Sequence, residues 1–186
     1  IYKNVSVRAD KSFKEVVVSP SSKRKVLILH SALLMKKALR FKEGLFIDVD
    51  NKNEFRHVGL GSSSALIASV ACAINELYGN PINAKDLVQY LAQNHGEEIE
   101  GSSEYINPVQ CIGGSAAGGL YEGALMILAG KSRIISTMKI PDGYKVIIGI
   151  PRDYVELDSK ILFKKEQAVF HKFMHCGVKY GPEIAY

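Results

Sequence analysis

Two hydrophobic periods alternate along the chain and outline its elements. Phe13-Lys14-Glu15-Val16-Val17-Val18 predicts a strand, closed by the turn cluster Ser19-Pro20-Ser21-Ser22. Between Lys25 and Phe41, apolar Leu27, Leu34, Ala38 and Phe41 recur at helical spacing while Lys36, Lys37 and Arg40 fall opposite. This predicts an amphipathic helix whose cations gather at its C-terminal end, where the dipole favours them. Leu45–Val49, with Asp48 and Asp50 interleaved, predicts a short strand. A polar loop, Asn51 to His57, leads to Gly59-Leu60-Gly61-Ser62-Ser63-Ser64 and a helix from about Ser63 to Leu77. That helix is almost all Ala, Leu, Ile, Val and Cys, so it is expected to be buried on most sides.

Tyr78-Gly79-Asn80-Pro81 is a helix stop, and Asn83 caps a second helix with Asp86 three residues on. The apolar face of this second helix is Leu87, Tyr90 and Leu91. A Gly/Ala-rich stretch, Gly113 to Gly119, follows. Ala124–Leu128, Arg133–Lys139 and Tyr144–Ile150 read as strands, and Ser159–Met174 as a helix. Strands and helices interleave, which fits an α/β or α+β class. There is no internal repeat and no low-complexity segment.

The 186 residues are 47% hydrophobic and 23% charged, a composition that supports a real core and excludes disorder. The length suits one domain, or one domain and part of another. No apolar run approaches the roughly 18 residues needed to cross a bilayer. Three cysteines, Cys72, Cys111 and Cys176, lie far apart with no metal-like spacing. So sparse and odd a set argues against a disulfide scaffold and fits a reducing cytoplasm, with Cys72 and Cys111 reduced and packed. The chain opens on Ile1-Tyr2-Lys3 without a signal-peptide pattern or an initiator Met, so its natural start is expected upstream.

The net charge of +5 conceals a segregation. Residues 1–43 carry eleven Lys/Arg against three acids, residues 44–122 three against ten, and residues 123–186 ten against six. A basic N-terminal third suits either a nucleic-acid surface or a solvated face near an anionic small ligand. No aromatic interleaving or nucleic-acid motif accompanies it, which favours the second and leaves nucleic acid off the list of expected partners.

The strongest chemical signal is Gly59-Leu60-Gly61-Ser62-Ser63-Ser64-Ala65 running into the buried helix. Glycines let the backbone turn tightly and approach a ligand. Successive amides at the helix start then converge on one spot at the positive end of the dipole, an arrangement that binds phosphate. The three hydroxyls add hydrogen bonds to phosphate oxygens or Mg²⁺. The Lys of a P-loop is absent. A Ser-capped helix after a Gly turn is the plainer alternative; three serines and an Ala-rich helix behind them favour phosphate. Gly61 is expected to tolerate Val in the fold but not in phosphate binding. His30 is expected to be a packed residue and His57 a loop histidine in solvent. His171 and His175 suit a metal by spacing, but no third ligand joins them except Cys176, which points elsewhere.

Gly59–Ala65, with the following Ala68-Ser69-Val70-Ala71-Cys72-Ala73-Ile74-Asn75-Glu76-Leu77-Tyr78-Gly79, resembles the phosphate loop and helix of the GHMP kinases. That superfamily includes the galactokinase, homoserine kinase, mevalonate kinase and phosphomevalonate kinase groups. The resemblance extends over roughly residues 25–150, through a helix at Asn83–Asn94, the acids Glu97, Glu98 and Glu100, Asn107-Pro108 and Gly113-Gly114, a pair that by the resemblance enters a strand. It implies an α+β fold: an N-terminal-type domain with a mixed sheet packed on helices, a kind also found in a ribosomal protein. That nucleotide-binding domain would span residues 1–150, with the start of a second α/β domain at 151–186, truncated. It also implies a cytoplasmic phosphotransferase that moves the γ-phosphoryl of ATP, with Mg²⁺, to a hydroxyl of a small molecule. No membrane partner is implied, and a homodimer is left open.

Carried over by position, Gly59, Leu60, Gly61, Ser62, Ser63, Ser64 and Ala65 would hold the nucleotide. Ser63 would be the hydroxyl near Mg²⁺. Glu97 fits the family's metal-binding acid by its distance to Gly113-Gly114, with Glu98 and Glu100 as rivals. The plainer reading of these acids is a solvated acidic turn.

The chain departs from the family in several places. Phe55 stands where the loop usually has Pro, and Tyr105 and Ile106 where some members place an Asp base. Glu104 is the nearest carboxylate and a candidate relocated catalytic base. The substrate-side motif near the N-terminus and the C-terminal Gly/Ser-rich motif are not found. Family members continue for about another hundred residues beyond a point such as Tyr186, judged by ordinary domain size. The missing Asp tilts the expectation towards homoserine kinase-like chemistry. The alternatives are a synthase of the same fold using a donor such as phosphoribosyl diphosphate, and a non-catalytic nucleotide-binding module.

Overall fold

The computed structural model of the chain describes residues 3–10, 12, 14–51, 58–98, 106–108, 111, 113–121, 124–129, 132–139, 141–145, 147–151, 153, 161, 164, 165 and 167–169. The chain begins with strand β1 (Asn4–Asp10), whose Val5 and Val7 turn towards the core. Strand β2 (Val16–Val18) follows, then helix α1 (Lys25–Leu39) and strand β3 (Gly44–Asp50). Strand β3 is the centre of a three-stranded sheet, antiparallel to β1 and parallel to β2. The mixed sheet is therefore as expected. Its inward positions Leu45, Ile47 and Val49 are buried, and the intervening Phe46, Asp48 and Asp50 are more exposed, the period-2 pattern of a strand with one covered face. On the other face Arg8 sits opposite Phe46 and lays its guanidinium 4.8 Å from the ring centroid.

Helix α1 and the next helix, α2 (Ser62–Leu77), pack together on this sheet. Burial of Leu66, Ile67, Val70 and Ile74 on α2 against Leu27, Ile28, Ala32 and Met35 on α1 forms the core. Each of these side chains larger than alanine contributes about 1.5–3 kcal/mol when removed from water. The α1 face is rotated from the expected one: Leu34 and Ala38 are half-buried, while Ile28, Ala32 and Met35 point inward. Apart from His30 and Ser31 the Val26–Met35 run is apolar and offers several candidate stripes, and contact with α2 selects one.

After α2, Gly79 and Asn80 adopt positive φ and turn the chain. Buried Asn75 holds this turn by accepting from the Ile82 amide (3.2 Å) and donating to its carbonyl (2.8 Å). Helix α3 (Ala84–Gln93) then starts at Asn83, whose Oδ1 accepts from the Asp86 amide at 3.0 Å. Leu87 and Leu91 are buried, and the Tyr90 hydroxyl donates to the Leu34 carbonyl. Strands β4 (Gly96–Glu98) and β5 (Ile106–Pro108) pair antiparallel.

Here two expectations are corrected. Gly113-Gly114 enters a helix, α4 (Gly114–Leu120), not a strand, because Ala116 and Ala117 bury against α2 and a strand would turn one of them outward. Strands β6 (Ala124–Ala129) and β7 (Arg133–Lys139) form an antiparallel pair as expected. Tyr144–Ile150 does not form a strand at its described residues, where Tyr144, Ile147 and Ile148 are exposed: a β-rich run without a ladder partner has nothing to set its backbone. In the expected helix from Ser159, the described residues 161, 164, 165 and 167–169 are helical. No helix among the described residues is long and apolar enough to cross a membrane.

Candidate active site

The site begins at Gly61, which caps α2 in the left-handed conformation at φ 63°. A Cβ there would fall 2.1 Å from Ser115 Oγ and 2.6 Å from its Cβ. The loop is thus pressed against the first turn of α4, and only glycine satisfies both the positive φ and the contact. This corrects the expectation that Gly61→Val spares the fold. Gly59 also has positive φ, at 74°, but open space around it. Leu60 lies between them, half-buried.

Helix α2 starts without a side-chain cap and without an acid in its first turn. The first amides of any helix have no carbonyl one turn back to receive them, so Ser62, Ser63 and Ser64 present theirs at the positive end of the dipole. Ser62 is buried; Ser63, Ser64 and Ala65 are half-buried. The Ala65 amide makes the first intrahelical bond, to the Gly61 carbonyl at 2.9 Å. The loop-and-helix geometry expected of Gly59–Ala65 is present.

The acidic strand β4 reaches this point. The Glu97 carboxyl accepts from the Ser63 hydroxyl and from buried His95, whose Nε2 lies 2.8 Å from Oε1. Burial alone would raise the Glu97 pKa; the His95 bond and charge, the Ser63 hydroxyl and the Arg24 charge outweigh it, and the net direction is down. The carboxyl side chain keeps 47% of its exposure, so it remains open to a ligand. Its ionised oxygens and the Ser63 hydroxyl are hard donors of the kind Mg²⁺ takes, leaving room for water and phosphate oxygens. The pair fits such an ion. No group of three or more His, Cys, Asp or Glu side chains among the described residues forms a closed metal cage.

Glu98, the rival acid, is engaged elsewhere. Its Oε2 accepts from Arg24 Nε at 2.6 Å. Arg24 Nη2 also donates to Ser63 Oγ at 2.7 Å and Nη1 to Ser62 Oγ at 3.3 Å. Sequence reasoning missed Arg24. Its backbone is placed by Asn51, at the end of β3, which accepts from the Lys23 amide (2.9 Å) and donates to the Lys23 carbonyl (2.8 Å). The signal available was an arginine within the basic N-terminal third, beside a helix start. Nothing in the sequence pairs it with an acid 74 residues away.

Glu100, Glu104, Tyr105, His57, Phe55, His171, His175 and Cys176 lie outside the described residues. His30 is half-buried and hydrogen-bonded through Nε2 to the Asn94 carbonyl at 2.9 Å, a packing role as expected. Cys72 and Cys111 are free and half-buried, and burial pushes both thiols up.

Comparison with known proteins converges on one group. The GHMP kinases N terminal domain matches residues 26–115. The chain is 36% identical over 143 residues to a homoserine kinase of Buchnera aphidicola subsp. Acyrthosiphon pisum, covering 68% of this chain and 41% of that protein. A homoserine kinase of Clostridium botulinum is 30% identical over 114 residues, covering 61% of this chain and 32% of that protein. The crystal structure of homoserine kinase from Cytophaga hutchinsonii shares the fold, with a TM-score of 0.56 and 22% identity over 87% of this chain and 50% of that one. The chain thus spans half or less of the length of these relatives.

Proposed function

The chain belongs to the GHMP kinase superfamily, and from that premise we propose that residues 59–65 hold the phosphates of ATP for transfer of its γ-phosphoryl to a hydroxyl of a small substrate. The similarity to homoserine kinases makes a homoserine-like amino alcohol the first substrate to try. The observation that carries this reading is the start of α2: uncapped, without an acid, opened by a glycine that no other residue can replace, and lined by Ser62 and Ser63. In this reading residues 1–150 are the nucleotide-binding domain and residues 151–186 begin a second domain.

The transfer forms a bond from the substrate oxygen to the γ-phosphorus as the bond to the β,γ-bridging oxygen breaks. ADP leaves, and the hydroxyl proton departs to solvent. The main demand on the protein is positioning and compensation of charge on the phosphoryl oxygens. The amides of Ser62–Ala65 supply fixed dipoles; Ser63 and Glu97 would hold Mg²⁺, which neutralises phosphate charge when bound. His95, hydrogen-bonded to Glu97, keeps that carboxyl ionised and oriented. Glu104 is a secondary candidate as a base.

The test is thermal shift and calorimetry on the full-length protein with ATP, phosphoribosyl diphosphate and adenosine, with and without Mg²⁺, followed by turnover on homoserine. A ligand at a hundred times its dissociation constant adds about 2.7 kcal/mol. Stabilisation by Mg²⁺–ATP and release of ADP support the reading. Stabilisation by phosphoribosyl diphosphate alone would replace it with synthase chemistry, and binding without turnover on any hydroxyl substrate would make the protein a binding module.

A further inference from the structure

Helix α4 has an almost bare open face beside the loop that leads into α2. Its exposed residues are Gly114, Ser115, Gly118 and Gly119, so Ser115 carries the only side chain on that face. A Cβ added at Gly114, Gly118 or Gly119 would meet nothing within 4 Å. The Ser115 hydroxyl instead fills the space that a side chain on Gly61 would take, at the uncapped start of α2. It is exposed and makes no hydrogen bond to another described residue. The backbone beneath it is held on several sides. Gly113, buried at φ 88°, lies so close to its neighbours that a Cβ there would be 3.1 Å from the Cβ atoms of Ala92 and Ser132. Ser132 Oγ donates to the Cys111 carbonyl at 2.9 Å, and the Cys111 amide donates to the Ala92 carbonyl at 2.9 Å. Ala116 and Ala117 bury against α2.

We propose, resting on the phosphate-site reading above, that Ser115 is a further ligand-binding residue of this site, its hydroxyl donating to a phosphate oxygen of the nucleotide held at residues 59–65. A helix is ordinarily capped by a polar side chain on its own N-cap residue, which accepts from the amides two or three residues on. Gly61 has no such group, and the turn there needs a positive φ that glycine adopts without steric cost. Ser115 brings a hydroxyl to the same place from another helix. A cap on α2 itself would close over the first amides; a hydroxyl carried by α4 leaves them open and keeps its own O–H for a ligand. A serine hydroxyl both donates and accepts, and donation to a charged phosphate oxygen is the stronger use of it. Because the first turn of α4 is already fixed by Gly113 and the buried alanines, the bond costs little further ordering. The bare glycines around Ser115 leave the approach clear.

The experiment measures dissociation constants of ATP and of inorganic tripolyphosphate, which lacks the base and sugar, by calorimetry on the full-length protein, with urea unfolding of each variant alongside. Ser115→Ala keeps the Cβ beside Gly61 and removes only the hydroxyl. It is expected to weaken both ligands by the same factor, about threefold or more, as loss of one hydrogen bond does, and to leave the urea midpoint unchanged. Ser115→Cys fills the same space with a thiol, a weak donor, and is expected to bind as poorly as Ser115→Ala. A loss below threefold in Ser115→Ala overturns the proposal. So does native affinity in Ser115→Cys, which would mean that the side chain only fills space beside Gly61. A loss of affinity that comes with a lower urea midpoint overturns it as well and makes Ser115 a packing residue. Native protein that binds neither ligand would mean the phosphate-site reading itself is wrong. Native binding that Ser63→Ala weakens and Ser115→Ala leaves intact would sink only the role of Ser115.

Discussion

Helices α2 and α3 begin in opposite ways. Helix α3 looks after its own amides: Asn83 has extended backbone, its Oδ1 accepts from the Asp86 amide, and its Nδ2 donates to the Asp86 carboxyl at 2.6 Å. Acid and cap both complement the dipole. Helix α2 has a left-handed glycine, no side-chain cap and no acid, and a cation where an anion belongs. The one start is finished by the chain itself. The other is capped by no side chain, at a cost of roughly a few tenths of a kcal/mol for glycine in the cap position.

The contrast can be broken or sharpened by measurement. The largest effect is expected at Gly61→Val. Left-handed backbone costs a Cβ-bearing residue roughly 1–2 kcal/mol and overpacking about 1–3 more, because the new side chain meets Ser115. Urea unfolding of the full-length variant should lose about 2–5 kcal/mol together with nucleotide binding. A variant as stable as the native protein would mean the loop does not rest on α4.

Next comes Ser63→Ala. Stability should fall by about 1–3 kcal/mol, because the buried Arg24 loses an acceptor, while turnover should fall by about a hundredfold or more, the size of effect seen when one charge-stabilising donor is removed. Glu104→Gln should cost less than about tenfold. Steady-state kinetics on both variants will tell: a collapse with Glu104→Gln and a mild effect of Ser63→Ala would make Glu104 a relocated general base.

Asn83→Ala tests the other helix. It should lower unfolding free energy by about 1 kcal/mol and leave ATP affinity unchanged. Any loss of affinity would tie the two helix starts together, against the contrast drawn here.

The smallest effect is in pH dependence. The Glu97 pKa is lowered in the fold from its ordinary 4.5, so its ionised form contributes stability that is fully present above that value. As pH falls below 4.5 that contribution drains, and it is gone once pH passes beneath the folded pKa. With much of the carboxyl exposed, screening keeps the effect small. Between pH 3 and 6 the slope of unfolding free energy against pH should be shallower in Glu97→Gln than in the native chain; an identical slope would show that the His95 and Ser63 contacts do not hold the ionised form.

Much of this was legible in the residues because it is local. Gly61 followed by three serines and an apolar run specifies a glycine-led helix start whatever surrounds it, and Asn83 with Asp86 specifies a cap within one turn. Arg133–Lys139 likewise forms the strand expected of it. Burial is where local reading stopped. Val26–Met35 is apolar enough to offer several faces, and only the approach of α2 turned Ile28 and Met35 inward and left Leu29 and Leu33 outside. Gly114–Leu120 has no strong preference of its own, and contact with α2 and α3 made it helical.

The sequence by itself therefore determined the glycine-led loop, the two helix starts and the α+β alternation, because each depends on φ preferences and hydrogen bonds within a few residues. Tertiary structure alone decided which acid is available and what cation faces it. Glu97, Glu98 and Glu100 are equivalent as letters. Folding placed Glu98 against an arginine from α1 and Glu97 against His95 and Ser63, since Coulomb and hydrogen-bond energies depend on distances of a few ångströms that no spacing along a chain encodes.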